Sequence, residues 1–270
     1  MTTANARRNF GSLLRDWRNR RSMSQLALAA EAEISQRHLS FMESGRSAPS
    51  RNMVLHIAEQ LGVPLRERNA MLAAAGFAPV FPERRLDDPE FAAARTAIEA
   101  VLARHEPFPA LAFDRHWNLV HANAGITTML AGVGPDLLAP PTNVLRLTLH
   151  PDGLAKRIVN YREWRAHVLH RLGEQVTQTG DSDLLALRNE LKAYPVPPGA
   201  APYRAGTTTM TSALAVPFRL FTPDGVLSFI STTTVFGTAL DVTLSEIAIE
   251  AFFPADDETR DQLFASNKQR

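Results

Sequence analysis

Gln36, Arg37, Ser40, Phe41 and Ser44 recur along SQRHLSFMES at spacings that put them on one side of a helix. Leu39 and Met42 take the other side, with Ile34 just before them, and can anchor that helix to a core. Glutamine and arginine pair bidentately with base edges in the major groove, and phenylalanine can touch a thymine methyl. His38 belongs to the same helix and joins the candidate DNA contacts. The residues that follow suit phosphate: Arg46 carries a guanidinium, and Ser50, Arg51 and Asn52 open another helix, whose first N–H groups lack intrahelical acceptors. No comparable set supports catalysis. Gly-x-Ser-x-Gly, His-Glu-x-x-His and a glycine-rich phosphate loop are all missing from the sequence. Asp152-Gly153 and Asp181-x-Asp183 read as helix caps. The absence of cysteine excludes disulfides, thiolate metal sites and thiol nucleophiles. His116 and His121 flank a strand and point to opposite faces. His167 and His170 are three apart on a helix, but no carboxylate or thiolate stands at a matching spacing. Neither a metal nor a cofactor is therefore assigned.

The elements that must position these residues are short helices across residues 9–80. Leu13, Leu14 and Trp17 form an apolar face opposite Arg15, Arg18 and Arg20. Ser24 and Ser35 are N-caps, Gly45 is a helix stop, and Ser50 starts a helix that Gly62 and Pro64 end. Residues 1–80 hold eleven arginines, no lysine and six acidic residues, whereas the whole chain has a net charge of +1. The basic part is the one expected to meet a polyanion. At 270 residues the chain has room for two ordinary domains, and at 45% hydrophobic residues it can build a real core. No apolar run approaches the roughly 20 residues of a membrane span, and no apolar segment follows the N-terminal arginines. A cytoplasmic protein without a membrane partner is expected.

The stretch MSQLALAAEAEISQRHLSFMESGRSAPS, followed by NMVLHIAEQLGVP, resembles the lambda-repressor-like helix-turn-helix of the xenobiotic-response-element class. Ser24-Gln25, Glu43-x-Gly45-Arg46, Pro49-Ser50 and Leu61 to Pro64 carry the resemblance. It implies that Gln25 contacts phosphate and helps orient Gln36, while Gln36, Arg37 and Phe41 enter the groove. It also implies a homodimer on a palindromic double-stranded operator, because one such module reads a half-site. Glu33 departs from the class, which usually has glycine in this turn, so a non-glycine residue must tolerate a strained backbone.

Residues 81–90 read as a proline-rich, charged linker, and residues 91–270 as a second domain. An amphipathic helix at 90–104, a hairpin in PALAFDRHWNLVHAN, a helix capped by Asn123 and mostly helical residues 143–193 lead into three β-rich segments. Those segments, MTSALAVPFRLF, VLSFISTTTVF and DVTLSEIAIEAFF, read as a meander joined by short turns, before a final helix. This region resembles a PAS-type sensor, and the whole chain resembles the MmyB-like transcription regulators. The resemblance implies an all-α N-terminal domain and an α+β, PAS-like C-terminal domain with a five-stranded antiparallel sheet. It further implies a small apolar ligand, fatty-acid-like, between sheet and helices. Some PAS domains hold heme, for which these histidines would be candidate ligands. Candidate pocket residues are Phe113, Trp117, His121, Arg157, Trp164, Phe218, Phe229 and Phe236; large apolar groups of this kind are more often simply core. Threonines at 207–211 and 232–234 are strand formers that could also bond a ligand. A ligand-free interaction or dimerisation domain is the alternative, and an enzyme with a DNA-binding appendage is a third.

Overall fold

The computed structural model describes residues 9–203, 216–237 and 239–268. The chain divides into two compact units, Met1–Arg85 with Thr238–Ser245, and Leu86–Gly237 with Glu246–Arg270. Among the described residues, no helix is long and apolar enough to cross a membrane.

The first unit is helical: α1 (Phe10–Arg20), α2 (Gln25–Glu31), α3 (Gln36–Glu43), α4 (Arg51–Gln60) and α5 (Leu65–Ala74). Asn9, Ser24, Ser35 and Ser50 cap the first four, each side-chain oxygen accepting from the backbone N–H three residues on. Leu14, Leu28, Leu39, Ile57, Met71 and Leu72 are fully buried in one core with Trp17 and Met42. Burial of such side chains stabilises by roughly 1.5–3 kcal/mol each. Gly45 takes a φ of +73°, and Arg46 N–H then donates to Phe41 C=O at 2.8 Å, which closes α3. Glu33, between α2 and α3, takes a φ of +51°, the left-handed backbone expected of a residue standing where glycine is usual.

The expected linker is tied down at its start. Asn69 of α5 accepts from the N–H groups of Val80 and Phe81 and donates to Phe81 C=O. Arg84 pairs with Asp241 at 2.8 Å, Val242 N–H donates to Pro82 C=O, and Thr243 bonds Arg84 C=O. A distant loop therefore belongs to this unit.

The second unit opens with a 3-10 turn at Pro89–Phe91 and α6 (Ala92–Arg104). Then come β1 (Ala110–Phe113), β2 (Leu119–Ala122), α7 (Ala124–Met129), α8 (Pro135–Leu138), α9 (Val144–Leu149), α10 (Tyr161–Thr179) and α11 (Ser182–Ala193). Next are β3 (Phe218–Thr222), β4 (Gly225–Val235) and β5 (Ala248–Pro254), with α13 (Asp257–Lys268) last; α12 (Val242–Ser245), between β4 and β5, lies in the first unit. The five strands pair antiparallel in the order β2-β1-β5-β4-β3. Leu111, Glu250 and Thr233 stand side by side across β1, β5 and β4, and Phe252 faces Ser231 two residues on.

Two expectations need correction. The β4–β5 connection is not a short turn, because DVTLS holds α12 and β5 starts only at Ala248. Asp152 caps no helix; its backbone N–H donates to His150 Nδ1 and its carboxylate approaches Lys156 at 4.0 Å. Gly153 beside it is needed for space, since a Cβ would meet Leu147 C=O at 2.2 Å. Asp181 does cap α11, accepting from Asp183 and Leu184 N–H. Residues 207–211 lie outside the described residues.

Candidate functional site

Helix α3 is turned as its periodicity requires. Leu39 and Met42 are buried, Gln36, Arg37 and Ser44 are exposed, and His38, Ser40 and Phe41 are half-buried. The Arg37 guanidinium lies 5.2 Å from the Phe41 ring centre and that of Arg46 lies 5.9 Å from it, so two cations flank one aromatic face. Ser50, Arg51 and Asn52 are exposed where α4 begins, with the Ser50 hydroxyl oxygen accepting from Met53 N–H. Exposed arginines and a helix start on one surface suit a polyphosphate backbone.

What holds this surface is Glu43, the last residue of α3. It is 5% exposed. Arg18 of α1 grips it with Nε at 2.6 Å and Nη2 at 3.1 Å, Gln25 Nε2 donates at 2.7 Å, and Arg15 stands 3.6 Å away. Burial pushes the Glu43 carboxyl up, but hydrogen bonds from Arg18 and Gln25 and the arginine charges hold it below the ordinary glutamate value. Arg18 is correspondingly held more firmly protonated by its bond to Glu43. Gln25, expected at phosphate and beside Gln36, directs its amide N–H to Glu43 and so ties α2 to α3. Sequence reasoning left Glu43 unassigned, although its register with Leu39 and Met42 marks it as inward-facing. Gly11 completes the seat: a Cβ there would meet the Glu43 and Met42 carbonyl oxygens at 2.5 and 2.6 Å.

In the second unit, a cavity of about 50 Å³ lies among α9, α10 and strands β1 and β5. Trp117 and Trp164 line it as expected; so do Leu111, Val144, Leu145, Val168 and Phe252, with Thr148, His167, Arg171 and Glu250 as its polar groups. Phe113 stands behind, stacked on Trp117 at 4.5 Å with planes 5° apart. Phe218 packs on Trp164 at 4.8 Å, and Phe229 packs on Phe252 at 6.0 Å. The other three expected residues lie elsewhere. His121 is exposed on β2, and Phe236 is half-buried beyond the end of β4. The Arg157 guanidinium donates to the carbonyls of Met129, Ala131 and Phe221, and its burial lowers its pKa.

Trp117 has a φ of +67°, a left-handed backbone rare for a bulky residue. Its turn is fixed by Asp114, whose carboxylate accepts from His116 and Asn118 N–H at 2.8 Å each. Its indole N–H donates to Gln175 at 2.8 Å, and Arg171 sits 4.6 Å from its ring. Arg171 also donates to Glu250 at 3.2 Å and to Thr233 at 2.7 Å. Burial lowers the pKa of His167, and the charges of Arg171 and His170 lower it further, against an opposing pull from Glu250. His170 is exposed and faces Glu174, one helical turn on, at 3.5 Å, so the expectation that no carboxylate stands at a matching spacing to this histidine is corrected.

His116, Asp181 and Asp183 bring potential ligand atoms within 4.8 Å of one another. Asp181 already accepts from two backbone N–H groups, pairs with His116 at 3.0 Å and has Arg115 at 3.7 Å. These contacts account for Asp181 as the cap of α11.

Comparison with known proteins matches two family models. Residues 14–68 match a helix-turn-helix model. Residues 94–264 match the MmyB-like transcription regulator ligand binding domain. No curated protein matched the chain. The second match covers more than half of the chain, and with the helix-turn-helix match before it the chain belongs to the MmyB-like transcription regulators.

Proposed function

We propose that this regulator reads its operator with the exposed face of α3 and holds a small apolar effector in the second unit's cavity. The observation that carries the DNA reading is the exposure pattern of α3: Gln36, Arg37 and Ser44 outward, Leu39, Met42 and Glu43 inward. Gln36 and Arg37 supply base contacts; Arg46 and the start of α4 supply phosphate contacts. One module reads one half-site, so the operator is a palindrome and the regulator a homodimer acting in the cytoplasm. Effector binding favours one of two arrangements of the paired DNA-reading units.

Apolar walls with few polar groups support an apolar effector. The fatty-acid-like molecule that the resemblance implies is larger than a 50 Å³ space, so a long chain requires the walls to open. The same small volume favours a second reading, a ligand-free dimerisation unit. Mass spectrometry of the native protein, then of its solvent extract, separates the two: a stoichiometric apolar molecule supports the effector, and an empty protein shifts weight to dimerisation.

DNA titrations test the first half. Arg37→Ala loses discrimination at its base pair by about 1–3 kcal/mol, whereas Arg46→Ala weakens all sequences about equally. Both variants binding specific and random DNA like the parent would place the recognition helix elsewhere.

A further inference from the structure

We infer that Arg37 and Phe41 read DNA as one unit: the Arg37 guanidinium takes a guanine, and the Phe41 ring takes the 5-methyl group of a pyrimidine, thymine or 5-methylcytosine, at the next base pair. The inference rests on the proposal that the outer face of α3 meets DNA, and it names the base step which that face selects.

Arg37 and Phe41 stand one helical turn apart, side by side on α3. The guanidinium lies 5.2 Å from the ring centre. Arg37 is exposed and makes no hydrogen bond or ion pair with another described residue, so its N–H donors are unspent. Phe41 is half-buried, yet it belongs neither to the buried core of its unit nor to the apolar side chains packed on that core. Its ring is a large apolar group placed on a polar face, with Arg46 5.9 Å from its centre. The backbone beneath it is fixed: Phe41 C=O accepts from Arg46 and Ser47 N–H at 2.8 and 3.2 Å and from the Ser44 hydroxyl at 3.2 Å. Core packing therefore does not account for this ring.

A guanidinium in the plane of a guanine donates to O6 and N7. A ring packed beside that guanidinium lies over the neighbouring base pair, about 3.4 Å along the duplex. That pair shows the groove either polar atoms or a methyl. Against a cytosine amino group or a purine N7, the ring strips water from a polar group and returns no hydrogen bond. Against a C5 methyl it buries apolar surface on apolar surface. The methyl is the same in thymine and 5-methylcytosine, so the unit selects the group and not one base.

Binding-site selection by the full chain from random duplexes supplies the probe. The recovered sites should share a guanine next to a thymine. On one such site, uracil in place of that thymine should weaken binding about fourfold, and cytosine should bind about fourfold more weakly than 5-methylcytosine at the same position. A loss in the thymine pair alone makes thymine the target, and a loss in the cytosine pair alone makes it 5-methylcytosine. A loss in neither overturns the inference. Phe41→Ala should bind thymine and uracil sites within 1.5-fold of each other, by order of magnitude, and keep its preference for guanine. Arg37→Ala should lose the guanine and, with the ring's neighbour gone, shrink the methyl effect to below about twofold. A methyl effect that survives Phe41→Ala overturns the inference, and one left whole by Arg37→Ala shows two independent contacts in place of one unit. A guanine set by Arg37 with no methyl effect sinks the inference and spares the reading beneath it. If both variants recover the parent's sites unchanged, the DNA-reading face itself falls.

Discussion

Glu43 and Glu250 are nearly equally buried, at 5% and 6% exposure, and each is gripped by an arginine. Their surroundings differ. Glu43 gathers donors from α1 and α2 onto the end of α3, and Arg18 is itself almost enclosed, with 12% of its side chain exposed. Arg171 is 29% exposed and divides its guanidinium among Glu250, Thr233 and the Trp117 ring. In the first unit the pair sits behind the outer face of α3, and Gln36, Arg37 and Ser44 remain exposed on that face. In the second unit the pair lines the cavity itself, with its charges committed to each other. The same pair of residue types is thus enclosed behind a helix in one place and set in a cavity wall in the other.

The largest effect should come from breaking the brace. Glu43→Ala leaves Arg18 and Gln25 facing an empty, enclosed site, and losing one partner of such a pair costs about 3–5 kcal/mol. Urea unfolding of the full chain, with hydrogen exchange on α1 and α3 amides, reads the loss. The pH dependence has a definite sign. A carboxyl held below its ordinary value stabilises the fold above the unfolded glutamate pKa of about 4.3, and that stability is lost as pH falls through the lower folded value. The variant should lack this part of the acid response. A Glu43→Ala variant as stable as the parent would mean that Glu43 is no brace.

Gly11→Ala attacks the same seat by steric means. Its Cβ would press on two carbonyl oxygens of α3 that cannot move without moving the helix. Overpacking of this kind costs about 1–3 kcal/mol. DNA affinity should fall with stability, whereas affinity for a cavity probe should stay within twofold.

Glu250→Gln is smaller still, at about 1–2 kcal/mol, because Arg171 keeps Thr233, the Trp117 ring and access to water. Thermal unfolding of both glutamate variants side by side checks the order. If Glu250→Gln cost as much as Glu43→Ala, the contrast between the enclosed pair and the cavity-wall pair would collapse.

The two sites were unequally legible. The face of α3 follows from one helical period, so Leu39 and Met42 point in and Gln36 and Arg37 point out wherever the helix is placed. Serine caps and stop glycines act within three or four residues, and four N-caps at Ser24, Ser35, Ser50 and Asn123 read directly from the chain. The cavity obeys no such local rule. Its walls come from residues 111, 117, 144–148, 164–171 and 250–252, and only the sheet register brings Leu111 beside Glu250. Aromatic size picked out Trp117 and Trp164, but it picked Phe218 and Phe229 for the same reason, and those two serve as packing behind the wall. Arg157 was attractive as a cation near a pocket; three backbone carbonyls claim it instead. Arg171 and Glu250 are 79 residues apart in the chain, and nothing in the sequence announces their pairing.

The smallest expected effect separates two properties that Glu33 combines. It holds a left-handed backbone, and it carries an exposed anion in the turn that leads into α3. A left-handed L-residue costs about 1–2 kcal/mol, while glycine returns about 0.5–1 kcal/mol of that through its greater freedom in the unfolded chain. Glu33→Gly should therefore stabilise the protein by up to about 1 kcal/mol and also tighten DNA binding at low salt. Glu33→Gln removes only the charge, so it should tighten DNA binding to the same degree and leave the melting temperature unchanged. If the glutamine variant gained as much stability as the glycine variant, charge repulsion within the first unit, not backbone strain, would be what this departure from the family pattern costs.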